Sequence, residues 1–122
     1  MTAAYHQCRY ELPDDFAIGA VYLFSDDPKM TVENPIQLTL TLPPQVQPLV
    51  AEVVGVSMYM GRIPLIWQEE TAEPADSNLS VWETRLLLGA CSDPKMQWMI
   101  RLHIENSDGD RHTVLVPFQS SW

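Results

Sequence analysis

Met58 and Met60 are the residues of this chain whose type and spacing point most directly to chemistry. They follow Val54 and Val56 in an alternating run, and every second side chain of a β-strand lies on the same face. The two thioethers would therefore project side by side, about 7 Å apart. Thioether sulfurs are soft ligands that suit Cu(I). The pattern predicts a candidate Cu(I) site, and no other cofactor is indicated.

A third soft ligand for this site could come from one predicted turn on a neighbouring strand. The stretch Cys-Ser-Asp-Pro-Lys-Met-Gln-Trp-Met contains Cys91, Met96 and Met99. Thiolates and thioethers both suit Cu(I), so all three residues are candidate ligands. His103 is a weaker candidate.

The same methionines also fit a role in core packing. Met58 and Met60 extend the apolar face of their run, and methionine often fills irregular core space. Met96 shares its predicted strand face with Trp98. Both interpretations stay open at this point.

Cys8 and Cys91 are the two cysteines of the chain. They are compatible with one disulfide in an oxidising compartment, or with two thiols in a reducing one. Their number alone does not decide between the two.

The sequence contains none of the common enzyme motifs, namely a G-x-S-x-G elbow, a phosphate-binding glycine loop or H-E-x-x-H. We therefore predict a protein that is not an enzyme. Sixteen acidic residues against seven basic ones give a net charge of −9. Nucleic-acid affinity depends on Lys and Arg, and the few bases are scattered along the sequence, so the composition excludes a nucleic-acid partner.

The elements that must position these residues are short strands. Ten prolines leave little room for long helices, and the apolar residues between them alternate with period two. An Asp-Gly pair at Asp108–Gly109 predicts a tight hairpin, since glycine adopts the positive φ that such a turn needs. Seven runs read as strands: 17–24, 36–42, 53–60, 63–67, 81–88, 98–104 and 114–118.

This spacing predicts an all-β fold, an immunoglobulin-like antiparallel β-sandwich of about seven strands. At 122 residues the chain fits a single domain covering 1–122. Residues 1–15 contain no clear alternation and are expected to form an irregular N-terminal arm.

The order of these features resembles the FixH/YtkA-like family of small, membrane-anchored Ig-like domains. In that family a Met-x-Met-Gly segment follows an early strand, and a Trp-bearing strand comes later. The matching stretches here are Val56-Ser57-Met58-Tyr59-Met60-Gly61, 81–88, Met96-Gln97-Trp98-Met99-Ile100 and 113–118. The sequence departs from the family pattern where a Gly-Tyr pair is missing and where Cys91 is added.

The resemblance implies a non-enzymatic accessory domain that faces the periplasm. Its anchor would be a transmembrane helix that this chain does not include, placing the domain on the periplasmic side of the inner membrane. The family is associated with membrane copper or cation transport, which implies a role in copper handling or in assembly of a membrane metalloprotein. It carries over only Met58 and Met60 as ligands, and an oxidising location favours a Cys8–Cys91 bridge.

The alternative is an adaptor β-sandwich that binds a protein partner and has no metal role. In that case the methionines and cysteines are packing residues, and open edge strands offer a binding surface. Without a membrane segment the chain itself suggests the cytoplasm, so that location remains the alternative.

Overall fold

The computed structural model describes residues 6–57, 61–70, 79–89 and 95–121. All the regular secondary structure in these ranges is β-strand. The strands are β1 (His6–Glu11), β2 (Ala20–Ser25), β3 (Ile36–Leu42), β4 (Val46–Pro48), β5 (Ala51–Gly55), β6 (Arg62–Leu65), β7 (Gln68–Glu69), β8 (Ser80–Leu86), β9 (Gln97–Asn106) and β10 (Arg111–Gln119). No helix in this part of the chain is long and apolar enough to span a membrane.

The strands form two antiparallel sheets of five strands each, which confirms the predicted all-β sandwich. Sheet I has the order β1-β2-β3-β8-β7. Sheet II has the order β10-β9-β5-β6, and β4 pairs with the end of β9 that lies beyond β5. The chain passes between the sheets three times, after β3, β6 and β8.

Alternation of side chains along the central strands builds the core between the sheets. The inner face of β3 and the inner face of β9 each supply four side chains that are almost completely buried, namely Ile36, Leu38, Leu40 and Leu42 on β3 and Trp98, Ile100, Leu102 and Ile104 on β9. The Trp98 ring stacks on Phe118 with a centroid distance of 6.3 Å. Its indole N–H donates a hydrogen bond to Ser120 Oγ at 2.9 Å, so the buried polar atom is satisfied.

Each of the seven predicted runs overlaps a strand, and the structure adds three short or polar ones. The last three residues of the run 53–60 lie outside the described residues. β5 is shorter than predicted, because it ends at Gly55 before a bend at Val56 and Ser57. Residues 6–11, which we predicted as part of an irregular arm, form β1 instead. β1 is an edge strand held by backbone pairing to β2, so its mostly polar sequence shows only weak alternation.

The predicted Asp-Gly hairpin joins β9 to β10, with Gly109 at φ +86°. Asn106 organises this turn through its side chain. Its Oδ1 atom accepts hydrogen bonds from the N–H groups of Asp108 and Asp110, and its Nδ2 group donates to the Phe16 carbonyl. The hairpin is therefore tied both to itself and to the loop between β1 and β2.

Candidate functional site

Met96 and Met99, two of the predicted copper ligands, lie on opposite faces of sheet II. Met96 is completely buried, and its sulfur accepts a hydrogen bond from Ser57 Oγ at 3.3 Å. Met99 is half-buried on the outer face, opposite Val54. Residues three apart near the start of an extended strand point to opposite sides, so the structure does not bring these two sulfurs together.

The other three candidate ligands, Met58, Met60 and Cys91, lie outside the described residues. On the described side of these segments, Ser57 contacts the start of β9. Its hydroxyl accepts a hydrogen bond from the Gln97 N–H at 3.1 Å, and the Val56 N–H donates to the Gln97 carbonyl at 2.8 Å. Among the described residues, no group of three or more His, Cys, Asp or Glu side chains is arranged to hold a metal.

Cys8 is half-buried on the inner face of β1, where it is paired with Leu23. Partial burial raises the pKa of its thiol, because a buried thiolate loses hydration. The predicted disulfide joins it to Cys91, which lies outside the described residues, so that bridge stays a prediction.

The outer face of sheet II is the surface on which the structure gathers charged and apolar side chains. We use this name for the residues of β5, β6, β9 and β10 that alternate with the buried core positions. They are Glu52, Val54, Arg62, Pro64, Gln97, Met99, Arg101, His103, Glu105, Arg111, Thr113, Leu115, Pro117 and Gln119, and Val56 continues the face beyond β5. The strand register places them in rows across the sheet.

Glu52 is the centre of the charged part of this face. Its carboxylate lies 3.3 Å from Arg62 Nε and 3.7 Å from Arg101 Nη1 through Oε1, and 3.7 Å from His103 Nε2 through Oε2. Oε1 is buried and makes no well-directed hydrogen bond in the structure. The carboxylate is therefore held by the guanidinium groups of Arg62 and Arg101. The His103 ring beside it is oriented by a 2.9 Å contact between its other nitrogen, Nδ1, and Thr113 Oγ1.

Arg111 and Glu105 add a second ion pair to the face, with 3.5 Å between Nε and Oε2. Three of the five arginines of the chain thus lie here, and they share two carboxylates. On a chain with a net charge of −9 this is a locally cationic surface. Each ion pair is partly exposed to solvent, so its contribution to stability is small.

An apolar part of the outer face adjoins these charges. Leu115 and Val56 are more than half exposed, and Val54, Met99 and Pro117 lie between them in one row of the register. Single exposed apolar residues are ordinary, but a contiguous group beside polar residues is typical of a protein-binding surface.

The sequence did not reveal this surface because its arginines lie on three different strands. Arg62, Arg101 and Arg111 appear scattered along the chain, and only the pairing of β6, β5, β9 and β10 brings them to one face. The one signal available in the sequence was strand alternation, since Arg101 and His103 alternate with the apolar residues that β9 buries.

No family model, curated protein or solved structure matches this chain.

Proposed function

We propose that this chain is a non-enzymatic β-sandwich accessory domain that binds a protein partner through the outer face of sheet II. The observation that carries the proposal is the mixture on that face of exposed apolar side chains with three arginines. Aromatic, methionine and arginine residues are enriched in protein interfaces, whereas lysine is depleted, and the face contains Met99 and no lysine.

The chemistry of the face suggests the partner surface that fits it. Three arginines share two carboxylates, so an added acidic group would find an unmatched cation near Arg101. Complementary charges of this kind direct the approach and register of a partner, while the apolar row supplies buried area. The partner is expected to present acidic residues beside an apolar patch.

A matched pair of leucines allows the face to be tested. Leu115 lies on it and is 57% exposed, whereas Leu87 follows β8 in sheet I and is 59% exposed. A photo-crosslinking amino acid placed at either position, in cells that make the full-length gene product, should give a discrete adduct from position 115 and none from position 87.

A charge reversal completes this test. Arg101→Glu, combined with the crosslinker at position 115, should abolish the adduct. Its unfolding temperature should fall, because the new carboxylate lies opposite Glu52, so circular dichroism must show that the domain is still folded at the temperature of the crosslinking experiment. Equal adducts from both positions, or an adduct indifferent to Arg101→Glu, would rule out a specific partner at this face.

The family resemblance supports a location and a class of partner for the same domain. Under this proposal it is tethered on the periplasmic side of the inner membrane, and its partner is a membrane metalloprotein. Protease added to spheroplasts should digest the domain while a cytoplasmic marker stays intact. Protection of the domain together with the marker would instead place it in the cytoplasm.

A second candidate function, copper handling, is favoured by the contact between Ser57 and the start of β9. This contact brings the residue before Met58 next to β9, whose outer face carries Met99. We infer that a Cu(I) site would use Met58 and Met60, with Met99 or Cys91 as a third soft ligand. Met96 drops out of the set, since it is buried and its sulfur accepts a bond from Ser57.

Met96 and Met99, the two candidate methionines within the described residues, provide comparison variants for a copper titration. Reduced protein would be titrated with Cu(I) against a competing chelator. Met58→Leu/Met60→Leu should abolish competition, Met99→Leu should weaken it, and Met96→Leu should leave the affinity unchanged. Identical titrations for the wild type and the Met58→Leu/Met60→Leu variant would remove the metal role and leave the adaptor function.

A further inference from the structure

The outer edge of β1 presents backbone groups that no described strand pairs. The Leu12 N–H donates to the Gly19 carbonyl at 3.1 Å, which shows that Leu12 directs its backbone toward the chain segment leading into β2. Backbone direction alternates along an antiparallel strand, so Tyr10 and Cys8 also face β2. The N–H and C=O groups of Arg9 and Glu11 therefore point to the edge.

Both edges of sheet II, in contrast, carry a proline at a position that points outward. On β10 the Ser120 N–H donates to the Met96 carbonyl, so even-numbered residues face β9 and Pro117 faces the edge. Just beyond β5 the Val56 N–H donates to the Gln97 carbonyl, so even-numbered residues of β5 face β9 and odd-numbered residues face β6. The odd-numbered residues of β6 pair with these, which leaves Pro64 pointing to the edge. A proline has no N–H, so it blocks the addition of another strand there.

The remaining edge, β7 of sheet I, is too short to support a ladder. It consists of Gln68 and Glu69 alone. β1 has six residues and no proline, which makes it the longest described edge that could accept another strand.

Two edge-facing residues of β1, Arg9 and Glu11, carry opposite charges and so can complement the same residues of a second copy. Arg9 and Glu11 form an ion pair within the strand, and the Arg9 Nε–H also donates to the Tyr22 hydroxyl at 3.1 Å. In an antiparallel pair centred on Tyr10, Arg9 of each copy would lie opposite Glu11 of the other. Opposite charges directly across two strands stabilise the pairing, and like charges oppose it.

We propose that β1 pairs antiparallel with β1 of a second copy of this chain, with Tyr10 at the two-fold axis and Arg9 facing Glu11 across it. Four backbone hydrogen bonds would form, two at each Arg9–Glu11 pair. The two sheets I would join into one continuous sheet, and the Tyr10 side chain, which is 39% exposed, would be covered by its equivalent. The contact is isologous and closes on itself.

This pairing is independent of the outer face of sheet II. That face points away from sheet I, so a dimer would present two copies of it. The proposal can therefore fail while the proposed function stands, and the reverse also holds.

A charge-swap series tests the pairing by sedimentation velocity at increasing concentration. The wild type should show a reversible monomer–dimer equilibrium, and Arg9→Glu and Glu11→Arg should each remain monomeric because like charges then face each other. An equimolar mixture of these two variants should form heterodimers, and the combined variant Arg9→Glu/Glu11→Arg should dimerise again. Both side chains are more than half exposed, so each variant should fold, as thermal unfolding would check.

Amide hydrogen exchange provides a second measurement at single residues. Exchange at the Arg9 and Glu11 amides should slow as concentration rises, while exchange at Cys8 and Tyr10, whose amides already face β2, should not change. A wild type that stays monomeric, or single variants that dimerise as well as the wild type, would overturn the proposal. Protection of Arg9 only upon addition of a different protein would assign this edge to another partner.

Discussion

The two sheets of this sandwich have similar inner faces and different edges. Four side chains of β3 in sheet I and four of β9 in sheet II are buried to the same degree. The sheets differ at their edges, because Pro64 and Pro117 block both edges of sheet II, whereas the outer edge of β1 in sheet I is unpaired among the described residues.

This difference separates the residues that stabilise the fold from those that determine its assembly. Burial of apolar area is the dominant favourable term in folding and does not depend on which sheet supplies it. Association through an edge depends on a few backbone groups and on the charges beside them. The two sheets can therefore contribute equally to the core and still differ in their capacity to pair with another chain.

The largest expected effect tests whether the two inner faces are equivalent. Leu40→Ala in β3 and Leu102→Ala in β9 each remove a completely buried side chain from a central strand. Each should lower the free energy of unfolding by about 2–5 kcal/mol, because a cavity remains where the side chain was. Urea denaturation measures both, and Leu115→Ala on the outer face is the control, with an expected change below about 0.5 kcal/mol.

A smaller loss is expected at the turn that joins β9 to β10 in sheet II. Asn106→Ala removes the acceptor of two backbone N–H groups and the donor to the Phe16 carbonyl, and should cost about 1–3 kcal/mol. Asn106→Asp keeps the acceptor and loses only the donor, so its loss in urea denaturation should be smaller. Equal losses would mean that the bond to Phe16 is the dominant one.

In sheet I the connection between β2 and β3 is organised by Asp27, a titratable counterpart of Asn106. Burial by itself would raise the pKa of Asp27, but hydrogen bonds from the backbone N–H groups of Thr31 (2.9 Å) and Lys29 (3.0 Å) outweigh it and hold the pKa below its ordinary value of 3.8. A lowered folded pKa stabilises the protein above the ordinary value, and this stability is lost as pH falls through the folded value.

The contribution of Asp27 should therefore depend on pH, whereas that of Asn106 should not. At neutral pH, Asp27→Asn should lower the free energy of unfolding by about 1 kcal/mol, because one of the two acceptor oxygens is lost. The difference from the wild type should shrink as the pH is lowered past 3.8. Urea denaturation at both pH values measures it, and a gap that stays constant would contradict this role for Asp27.

The smallest effect on stability, with a clear effect on assembly, is expected at the edge prolines. Pro117→Val restores an outward N–H on β10 and should change the free energy of unfolding by less than about 0.5 kcal/mol. Light scattering should nevertheless show concentration-dependent association beyond that of the wild type. Pro64→Val is the parallel case on β6. If both variants behave as the wild type does, the prolines are not what closes sheet II.

The strands and the β9–β10 hairpin were predictable because their signals are local. The alternation of Ile36, Leu38, Leu40 and Leu42 gives β3 with its observed bounds, and Asp108–Gly109 gives the turn. β1 was missed because an edge strand can be polar, and β4 and β7 because two or three residues are too short for a periodic pattern.

The candidate site was less predictable because it depends on which strands become neighbours. Met96 and Met99 are close in sequence, yet they point to opposite sides of sheet II. Arg62 and Arg101 are far apart in sequence, yet both contact Glu52. Sequence distance is a poor guide to either relation, since the pairing of β5 with β6 and β9 determines them.

The sequence by itself determined that this protein is an acidic, all-β chain with its strands separated by proline and turn residues. It did so because strand alternation and turn chemistry depend on residues only a few positions apart. Only the tertiary structure decided which strand edge is unpaired among the described residues and which face carries the arginines around Glu52. Those features arise from strand order and register, which bring together residues that the sequence keeps far apart.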